Sequence, residues 1–311
     1  MHSIITITPN PCIDISTHVP VLIPDKKLRC TTVRKEPGGG GINVSRVIKR
    51  LGAETTAVYL AGGYTGEYFT TMMQAEQVHT LVIKTVNHTR ENFVVAEGAT
   101  NLQYRFGMPG PVIQEAEWMR CLEEVSSLNN MDYIVASGSL TEGIPADFFA
   151  RIAAIARQKN AKLVVDTSGH YLSAALECGV YMIKPNLGEL SFISGIKELD
   201  KDTAVEAARM IIAKKQCEVV VVSMGAKGAL LITAEVAEHV AAPDVTIKST
   251  VGAGDSMVAG IVFSLSKNKT YREALQYGVA CGTAATMNEG TALCNVDDVE
   301  KLYQQIINYR T

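Results

Sequence analysis

Asp255 is the residue whose type and position best suit proton transfer, because it ends a glycine-rich segment that precedes the apolar run 257–265. That run predicts a helix, so the carboxylate is expected at a helix N-terminus. Backbone amides at Gly252, Ala253 and Gly254 can hold an anion there, aided by the helix dipole. The pattern predicts phosphoryl transfer in which Asp255 accepts the proton of an attacking hydroxyl. Taken alone, it is equally typical of a turn with a capping aspartate.

A second glycine cluster, Gly38 to Gly41, precedes another predicted helix. The apolar residues of 44–51 recur at helical spacing and stop at Gly52. Asn43 stands where this helix starts, a position at which asparagine is usually a cap. Two glycine-rich helix starts far apart in one chain favour a shared ligand site over two unrelated turns.

Short apolar, β-branched runs alternate with amphipathic helical patterns along most of the chain. This alternation predicts an α/β fold with a parallel sheet. A further strand is predicted at 3–8, and Asp14 follows it at the edge where such sheets bind ligands. A turn or capping role is the commoner interpretation of an isolated aspartate. The apolar runs are 55–61, 133–136, 162–166, 181–183 and 219–223.

Two stretches, 18–33 and 90–106, interrupt this rhythm with β-hairpin patterns that no helix follows. In the second, two β-rich runs flank the turn-forming segment 97–101. We expect one domain over 1–311 that carries a small β-sheet lid, with lid segments at about 15–36 and 88–108.

Composition limits the possible functions of this 311-residue chain. The formal net charge of -3 argues against nucleic-acid binding, which requires many cations to neutralise phosphates. Seven cysteines without a CxxC pair favour reduced thiols in a cytoplasmic protein. The N-terminal alternation predicts a strand rather than a signal peptide, and no apolar run approaches the roughly 20 residues that cross a bilayer. We therefore expect a cytoplasmic protein that binds neither nucleic acid nor membrane.

The motif Gly38-Gly39-Gly40-Gly41-Ile42-Asn43 and the later motif Thr250-Val251-Gly252-Ala253-Gly254-Asp255 together resemble the two-part signature of ribokinase-like sugar kinases, the PfkB family. Their order and spacing agree with that family along nearly the whole chain. The resemblance implies a ribokinase-like three-layer α/β/α domain with a mostly parallel sheet and a small β-sheet lid. It also implies a phosphotransferase that uses ATP and Mg²⁺, with Asp255 as general base.

Segments 27–31, 36–44, 104–110 and 137–140 resemble those of family members that phosphorylate ketohexose phosphates. Glycine at position 40, where kinases of tagatose 6-phosphate or fructose 1-phosphate usually have lysine, favours fructose 6-phosphate as the acceptor in a glycolytic reaction. Those two acceptors remain alternatives. A kinase for a free sugar or nucleoside would not need cationic lid residues, and a non-catalytic sensor would be expected to lose the base or the glycine loop. Cys12 and Ala292 depart from the family pattern, where serine and arginine are expected.

The resemblance assigns acceptor binding to residues around both glycine clusters and in the lid. Because the acceptor already carries a phosphate, the site needs cations beyond those that serve ATP, and an arginine fork can hold a phosphate by two hydrogen bonds. Exposed cations on a β surface are more often only solvated. The sugar ligands so implied are Asp14, Gly38, Gly39, Asn43 and Ser139, and the candidate phosphate ligands are Arg90 and Arg105, then Lys27, and last Arg29.

On the nucleotide side, the segment 184–189 follows a predicted strand and contains the pattern NxxE. The resemblance links its glutamate to Mg²⁺ through metal-bound water. A bare NxxE is common by chance, and turn chemistry alone would explain the glycines near 225. The nucleotide-binding residues so implied are Lys184, Asn186, Glu189, Ser223, Gly225, Gly228 and Thr250.

Ribokinase-like enzymes often hold a monovalent cation beside the anion loop, which implies a K⁺ site here. Most of its ligands would be backbone carbonyl oxygens, so side-chain identity carries little information. The matching positions are Ser249, Val251, Ala285, Asn288, Gly290 and Ala292.

The lid strands also predict a homodimer. Alternation places Phe93 and Val95 on one face, and Leu102, Tyr104 and Phe106 share a face across the turn. A sheet this small needs cover for its apolar face, so a second lid is the expected partner. A lid folded back onto its own domain is the alternative.

Overall fold

Two β-sheets of different size organise the chain in the computed structural model, which describes residues 3–308. The strands are β1 (Ile4–Thr8), β2 (Cys12–Val19), β3 (Val33–Gly38), β4 (Thr55–Gly62), β5 (His79–Thr85), β6 (Arg90–Glu97), β7 (Gln103–Phe106), β8 (Tyr133–Ser137), β9 (Lys162–Asp166), β10 (Val180–Ile183), β11 (Cys217–Ser223), β12 (Ala229–Ile232) and β13 (Ala237–Val240). The helices are α1 (Gly40–Arg50), α2 (Gly63–Ala75), α3 (Glu115–Ser127), α4 (Phe148–Gln158), α5 (Gly169–Glu177), α6 (Leu187–Ser194), α7 (Lys201–Ala213), α8 (Ala253–Ser266), α9 (Tyr271–Thr286) and α10 (Val296–Asn308).

The large sheet has the strand order β13-β12-β11-β10-β9-β8-β1-β4-β5. Its strands run parallel from β11 to β5, as the alternation of runs and helical patterns predicts. Residues 219–222 of β11 are fully buried, because helices cover both faces of a parallel sheet. The antiparallel edge strands β12 and β13 were not predicted.

Helices pack on both faces of this sheet and produce three layers. One apolar core lies between the sheet and α3 to α7, where Phe148 and Phe149 are fully buried. The other lies under α1, α8, α9 and α10. The fold is therefore a three-layer α/β/α arrangement with a mostly parallel sheet, as predicted. In the described part of the chain, no helix combines the length and the apolar character needed to cross a bilayer.

The small sheet has the order β3-β2-β6-β7. The hairpin of β6 and β7 forms as predicted, with Asn101 in the left-handed region at its turn. The prediction of β structure across 18–33 was wrong for most of that segment, because 20–32 contains no strand. Pro20 and Pro24 explain this difference, since proline cannot donate a ladder hydrogen bond. Asp14 lies inside β2 rather than in a turn after β1.

Strand register assigns the side chains of the small sheet to two faces. Asp14 lies opposite Asn92, and both share a face with Arg105. The other face carries Phe93 opposite Phe106 and Val95 opposite Tyr104, which agrees with the predicted alternation. The first of these faces points towards the large sheet. Near the base of the second, Ile13 and Ile15 pack into a core with Tyr59, Phe69 and Met73, and this core anchors the small sheet on β4 and α2.

A buried arginine joins the base of the small sheet to two helices. Arg46 of α1 has a side chain that is 1% exposed, and it donates to Pro37 O at 2.8 Å. Its Nη2 donates to Oε1 of Glu76, the residue that follows α2, at 2.6 Å. The same nitrogen forms an ion pair with Glu36 of β3 at 3.3 Å. The guanidinium therefore joins β3, α1 and the end of α2. Glu36 also accepts from Thr291 Oγ1 at 2.8 Å, and Glu76 also pairs with Arg50 at 3.2 Å.

Arg46→Met is expected to lower the free energy of unfolding by about 3 kcal/mol, because the buried Pro37 carbonyl loses its donor. The half-buried Glu36 and Glu76 also lose their strongest ion-pair partner and keep only weaker contacts. Denaturant titration followed by circular dichroism measures the loss. Lys49→Met on the same helix is the control, since Lys49 pairs only with the exposed Glu54 and should cost less than about 1 kcal/mol. Equal losses in the two variants would contradict the importance assigned to the buried network.

Candidate active site

Several of the predicted site residues lie at the carboxyl ends of the parallel strands, where open α/β sheets bind ligands. Asp166 ends β9, Lys184 follows β10, and Ser139 follows β8. The first turns of α1 and α8 face the same edge, which brings the two glycine-rich motifs together.

Asp255 lies in the first turn of α8, after Gly252, whose φ of 72° is accessible mainly to glycine. Asn43 Nδ2 donates to Asp255 Oδ2 at 2.9 Å, across 212 residues of sequence. The two residues predicted at separate helix starts are therefore in direct contact.

Burial, and next the nearby negative charge of Asp166, raise the pKa of Asp255 to about 6. The hydrogen bond from Asn43 and the charge of Lys184 oppose this rise. A carboxylate with such a pKa is mostly ionised at neutral pH and remains a better proton acceptor than an ordinary aspartate.

The loop before Asp255 has the geometry of an anion cradle. The first amides of α8 have no acceptors within the helix, so Ala253 and Gly254 present free N–H groups. A Cβ at Gly254 would lie 3.3 Å from Lys184 Nζ, so glycine allows the ammonium to approach the loop. The ammonium group of Lys184 therefore packs against the predicted anion-binding loop.

Lys184 is buried and forms an ion pair with Asp166 at 3.3 Å. Burial lowers the pKa of Lys184, but Asp166, Asp255 and Glu189 raise it by more, so its pKa lies above the ordinary value. Asp166 was not among the predicted site residues. Its position as the last residue of an apolar run was a usable signal, because strand ends at this edge carry ligands.

Asn186 and Glu189 form a capping box at the start of α6. Asn186 Oδ1 accepts from Glu189 N at 2.9 Å, and Glu189 Oε2 accepts from Asn186 N at 2.8 Å. This pairing serves the helix and leaves one carboxylate oxygen of Glu189 available. Residues 3–308 contain no group of three His, Cys, Asp or Glu side chains that could hold a metal ion. Mg²⁺ usually binds through one or two carboxylates, water and substrate phosphates, and the available oxygen of Glu189 suits that role.

Asp14 is buried and its orientation is set by two donors. Cys12 Sγ and Asn92 Nδ2 each donate to Asp14 Oδ1, both at 3.2 Å. Asp14 Oδ2 lies over Gly38, where any Cβ would collide with it. Burial raises the pKa of Asp14, and the two hydrogen bonds oppose the rise. Asn92 was missed as a site residue, because its pairing opposite Asp14 depends on a long-range parallel contact that has no local signal.

The candidate phosphate ligands occupy different positions. Arg90 donates to Met108 O at 3.1 Å and to Asn10 O at 3.2 Å, and Asn10 Nδ2 donates to Ser139 Oγ at 3.2 Å. Arg105 is exposed and donates to Thr250 Oγ1 at 2.8 Å, which links β7 to the glycine loop. Lys27 and Arg29 are exposed in the connection 20–32, which leaves β2 at the end opposite Asp14.

The remaining predicted positions follow from strand and loop geometry. Gly39 precedes α1 with φ 114°, which suits glycine. Ser223 ends β11 and forms an isolated bridge with Asn186, so both motifs lie side by side. A Cβ at Gly228 would collide with Val240 O, so the turn into β12 requires that glycine, whereas Gly225 faces open space.

The positions implied for a monovalent cation lie on two adjoining segments. Ser249 Oγ donates to Gly290 O at 2.6 Å, and Ser249 N donates to Thr286 O at 3.2 Å. Asn288 Nδ2 donates to Ala284 O and Leu293 O, which folds the second segment back on itself. Carbonyl oxygens therefore line the contact between the segments, and carbonyl oxygens are suitable ligands for K⁺. The two segments also contain Val251, Ala285 and Ala292.

Known proteins resemble this chain along nearly its whole length. The ATP-dependent 6-phosphofructokinase isozyme 2 of Escherichia coli is 40% identical over 304 residues, which cover 97% of this chain and 98% of that protein. The 1-phosphofructokinase of Bacillus subtilis is 34% identical over 286 residues, 92% of this chain and 93% of that one. The crystal structure of Escherichia coli phosphofructokinase-2 in complex with potassium matches with a TM-score of 0.95 at 39% identity and covers 99% of this chain and 100% of that chain.

A family model described as pfkB family carbohydrate kinase matches residues 7–298. This span contains both glycine-rich motifs and Asp255, the features from which the resemblance was inferred. The chain therefore belongs to the pfkB family of carbohydrate kinases.

Proposed function

We propose that the protein transfers the γ-phosphoryl group of ATP to the 1-hydroxyl of fructose 6-phosphate, giving fructose 1,6-bisphosphate and ADP in the cytoplasm. The observation that carries this proposal is the contact of Asn43 with Asp255, which joins the proposed sugar site to the proposed base. The name of the Escherichia coli relative, ATP-dependent 6-phosphofructokinase isozyme 2, supports the choice of acceptor. The small sheet serves as a lid in a single kinase domain.

In this reaction the acceptor oxygen forms a bond to the γ-phosphorus, the bond from that phosphorus to the ADP oxygen breaks, and Asp255 takes the hydroxyl proton. The amides of Ala253 and Gly254 stabilise charge on the transferring group. Lys184 adds a positive charge beside the loop, and Asp166 holds its ammonium in place. Each group acts on the same small volume at the start of α8.

Acceptor recognition follows from the orientation of Asp14. Because Cys12 and Asn92 occupy Oδ1, the free Oδ2 is the oxygen that accepts from a sugar hydroxyl. Asn43 and Ser139 contribute further polar contacts. The amide hydrogen bond of Asn43 to Asp255 places the bound sugar next to the base.

Position 40 supports fructose 6-phosphate over the alternative acceptors. A Cβ at Gly40 would lie 3.0 Å from Ser137 Cβ and closer still to its hydroxyl, so the Ser137 side chain leaves no room for a longer side chain at position 40. A kinase of fructose 1-phosphate or tagatose 6-phosphate remains the second candidate, since the Bacillus subtilis relative is a 1-phosphofructokinase.

Metal ions complete the proposed nucleotide site. Mg²⁺ bound to the ATP phosphates would reduce their charge, and Glu189 with Asp166 would hold it through water. K⁺ would lie between the carbonyl-lined segments around Ser249 and Gly290, beside the loop. A structure of Escherichia coli phosphofructokinase-2 in complex with potassium supports the proposal that the chain binds K⁺.

We also assign the outer face of the lid to a homodimer contact. Phe93, Tyr104 and Phe106 on this face are 37%, 39% and 47% exposed, and Val33 is 65% exposed. Apolar residues grouped on a small sheet favour a protein partner, and a second lid offers the same surface. The Escherichia coli relative has a structure described as a tetrameric inhibited form, and this association of the relative supports a contact between copies of this chain.

A direct test of the reaction measures ADP release with fructose 6-phosphate, fructose 1-phosphate, tagatose 6-phosphate, ribose and adenosine. We expect the highest kcat/KM with fructose 6-phosphate, and identification of the product as a bisphosphate. A higher kcat/KM with another acceptor would replace the proposed substrate, and no ADP release with any of them would indicate a sensor.

Asp255→Asn is expected to lower kcat by roughly two to four orders of magnitude, because it removes the proton acceptor and preserves shape. In the wild type, kcat/KM should fall as pH drops through about 6, where Asp255 protonates. A pH profile of ADP release measures both effects, and an acid limb well below pH 5 would contradict the assignment.

The same substitution should raise thermal stability above pH 6. Burial lifts the folded-state pKa of Asp255 above its unfolded value, so the ionised side chain opposes folding at neutral pH and this effect disappears as pH falls towards 4. The variant should therefore melt at a higher temperature than the wild type at pH 8, with a smaller difference at pH 5. Loss of activity through misfolding would give the opposite shift.

Arg90→Ala and Arg105→Ala are each expected to raise KM for fructose 6-phosphate roughly 10- to 100-fold, with KM for ATP changed less than about threefold, because their partner is the acceptor phosphate. Steady-state kinetics with one substrate varied at a time distinguish the two effects. Arg120→Ala is the control, since Arg120 lies exposed on α3 beside Glu124. An unchanged KM for fructose 6-phosphate would remove either arginine from the phosphate site.

Phe106→Glu is expected to convert the dimer to monomer, because it places a charge on the apolar outer face of the lid. Sedimentation velocity at assay concentration, with and without fructose 6-phosphate, measures the state. Met210→Glu on α7 is the control, at a similar exposure of 48%. A wild type that sediments as a fully active monomer would contradict the lid contact.

A further inference from the structure

Gln103 contacts the segment that leads into the glycine loop. Its Nε2 donates to Lys248 O at 2.9 Å, and its Oε1 lies 3.2 Å from Ser249 Oγ. Ser249 has one hydroxyl proton and two possible acceptors, Gln103 Oε1 and Gly290 O, and Gly290 O is the closer at 2.6 Å. The bond from Gln103 to Lys248 O is therefore the firmer of the two.

The segment 248–250 is held from two sides. The backbone amides of Lys248 and Ser249 both donate to Thr286 O, at the end of α9. On the other side, Gln103 holds Lys248, and Arg105 from the same strand holds Thr250 at 2.8 Å. The loop that ends at Asp255 therefore begins in a clamp between the large domain and the small sheet.

Strand β7 forms one edge of the small sheet, so β6 is its only neighbour in that sheet within the described residues. Gln103 and Arg105 share the face of β7 that points to the large domain. An acceptor phosphate that binds Arg105 competes with its hydrogen bond to Thr250. The bond from Gln103 to Lys248 O does not depend on Arg105, so it can keep β7 against the loop while Arg105 turns to the phosphate.

We propose that Gln103 is a positioning residue that couples acceptor binding at the lid to nucleotide binding at the 249–255 loop. This inference rests on the proposed function. When nucleotide binds, it orders the loop and fixes the position of Lys248 O, which accepts from Gln103. This bond holds β7 in the position at which Arg105 contacts the acceptor phosphate. By linkage, the acceptor must tighten nucleotide binding by the same factor.

Isothermal titration of fructose 6-phosphate, with and without the non-hydrolysable analogue adenylyl imidodiphosphate and Mg²⁺, measures this coupling. In the wild type, the analogue should tighten fructose 6-phosphate binding by about fivefold or more. In Gln103→Met, which keeps length and loses both polar contacts, the factor should fall below about twofold. Gln103→Glu also loses the donation to Lys248 O and should lower the factor too, which provides a second variant if the first folds poorly.

Gln74→Met on α2 is the matched control, since Gln74 is an exposed glutamine outside both sites. It should keep the wild-type coupling factor. Equal coupling in the wild type and in the folded Gln103 variants would overturn the inference, as would a wild type without coupling. With either of these two outcomes, the proposed reaction still stands if the wild type releases ADP with fructose 6-phosphate. A wild type that neither binds nor phosphorylates fructose 6-phosphate overturns both proposals.

Discussion

One hydrogen bond, from Asn43 to Asp255 at 2.9 Å, brings together the two glycine-rich helix starts on which the site depends. Each start alone is a turn in which a glycine precedes the helix and no side chain caps it. Their contact requires α1 and α8 to pack side by side on one face of the large sheet, as their shared core allows. The parallel strands then deliver Lys184 and Asp166 to the same edge, because every carboxyl end lies there.

Opposing electrostatic effects set the properties of the proposed base. Burial and Asp166 raise the pKa of Asp255, whereas Asn43 and Lys184 lower it. A closer ion pair with Lys184 would hold the carboxylate ionised and make it a weaker base. Because Lys184 is paired with Asp166 instead, its charge remains near the loop without neutralising Asp255. The arrangement keeps the carboxylate both ionised at neutral pH and able to accept a proton.

Much of the fold could be predicted, because hydrophobic periodicity is a local property of the chain. The parallel strands, the start of α1 and the hairpin of β6 and β7 all have such local patterns. The pairing of β2 with β6 could not be predicted, and with it the role of Asn92 beside Asp14, since no local pattern encodes a long-range parallel register. The segment 20–32 was assigned too much strand because its apolar residues outweighed its two prolines. Asp166 could have been found from its strand-end position.

The parallel pairing of β2 with β6 has a consequence for the order of assembly. Asp14 and Asn92 are 78 residues apart, and most of that distance is occupied by α1, β4, α2 and β5 of the large domain. Closing so long a loop costs entropy that only the prior folding of those elements reduces. The small sheet should therefore form late in folding. Its local opening should cost less free energy than global unfolding. The surface that meets the acceptor would then belong to the least protected part of the molecule in amide hydrogen exchange.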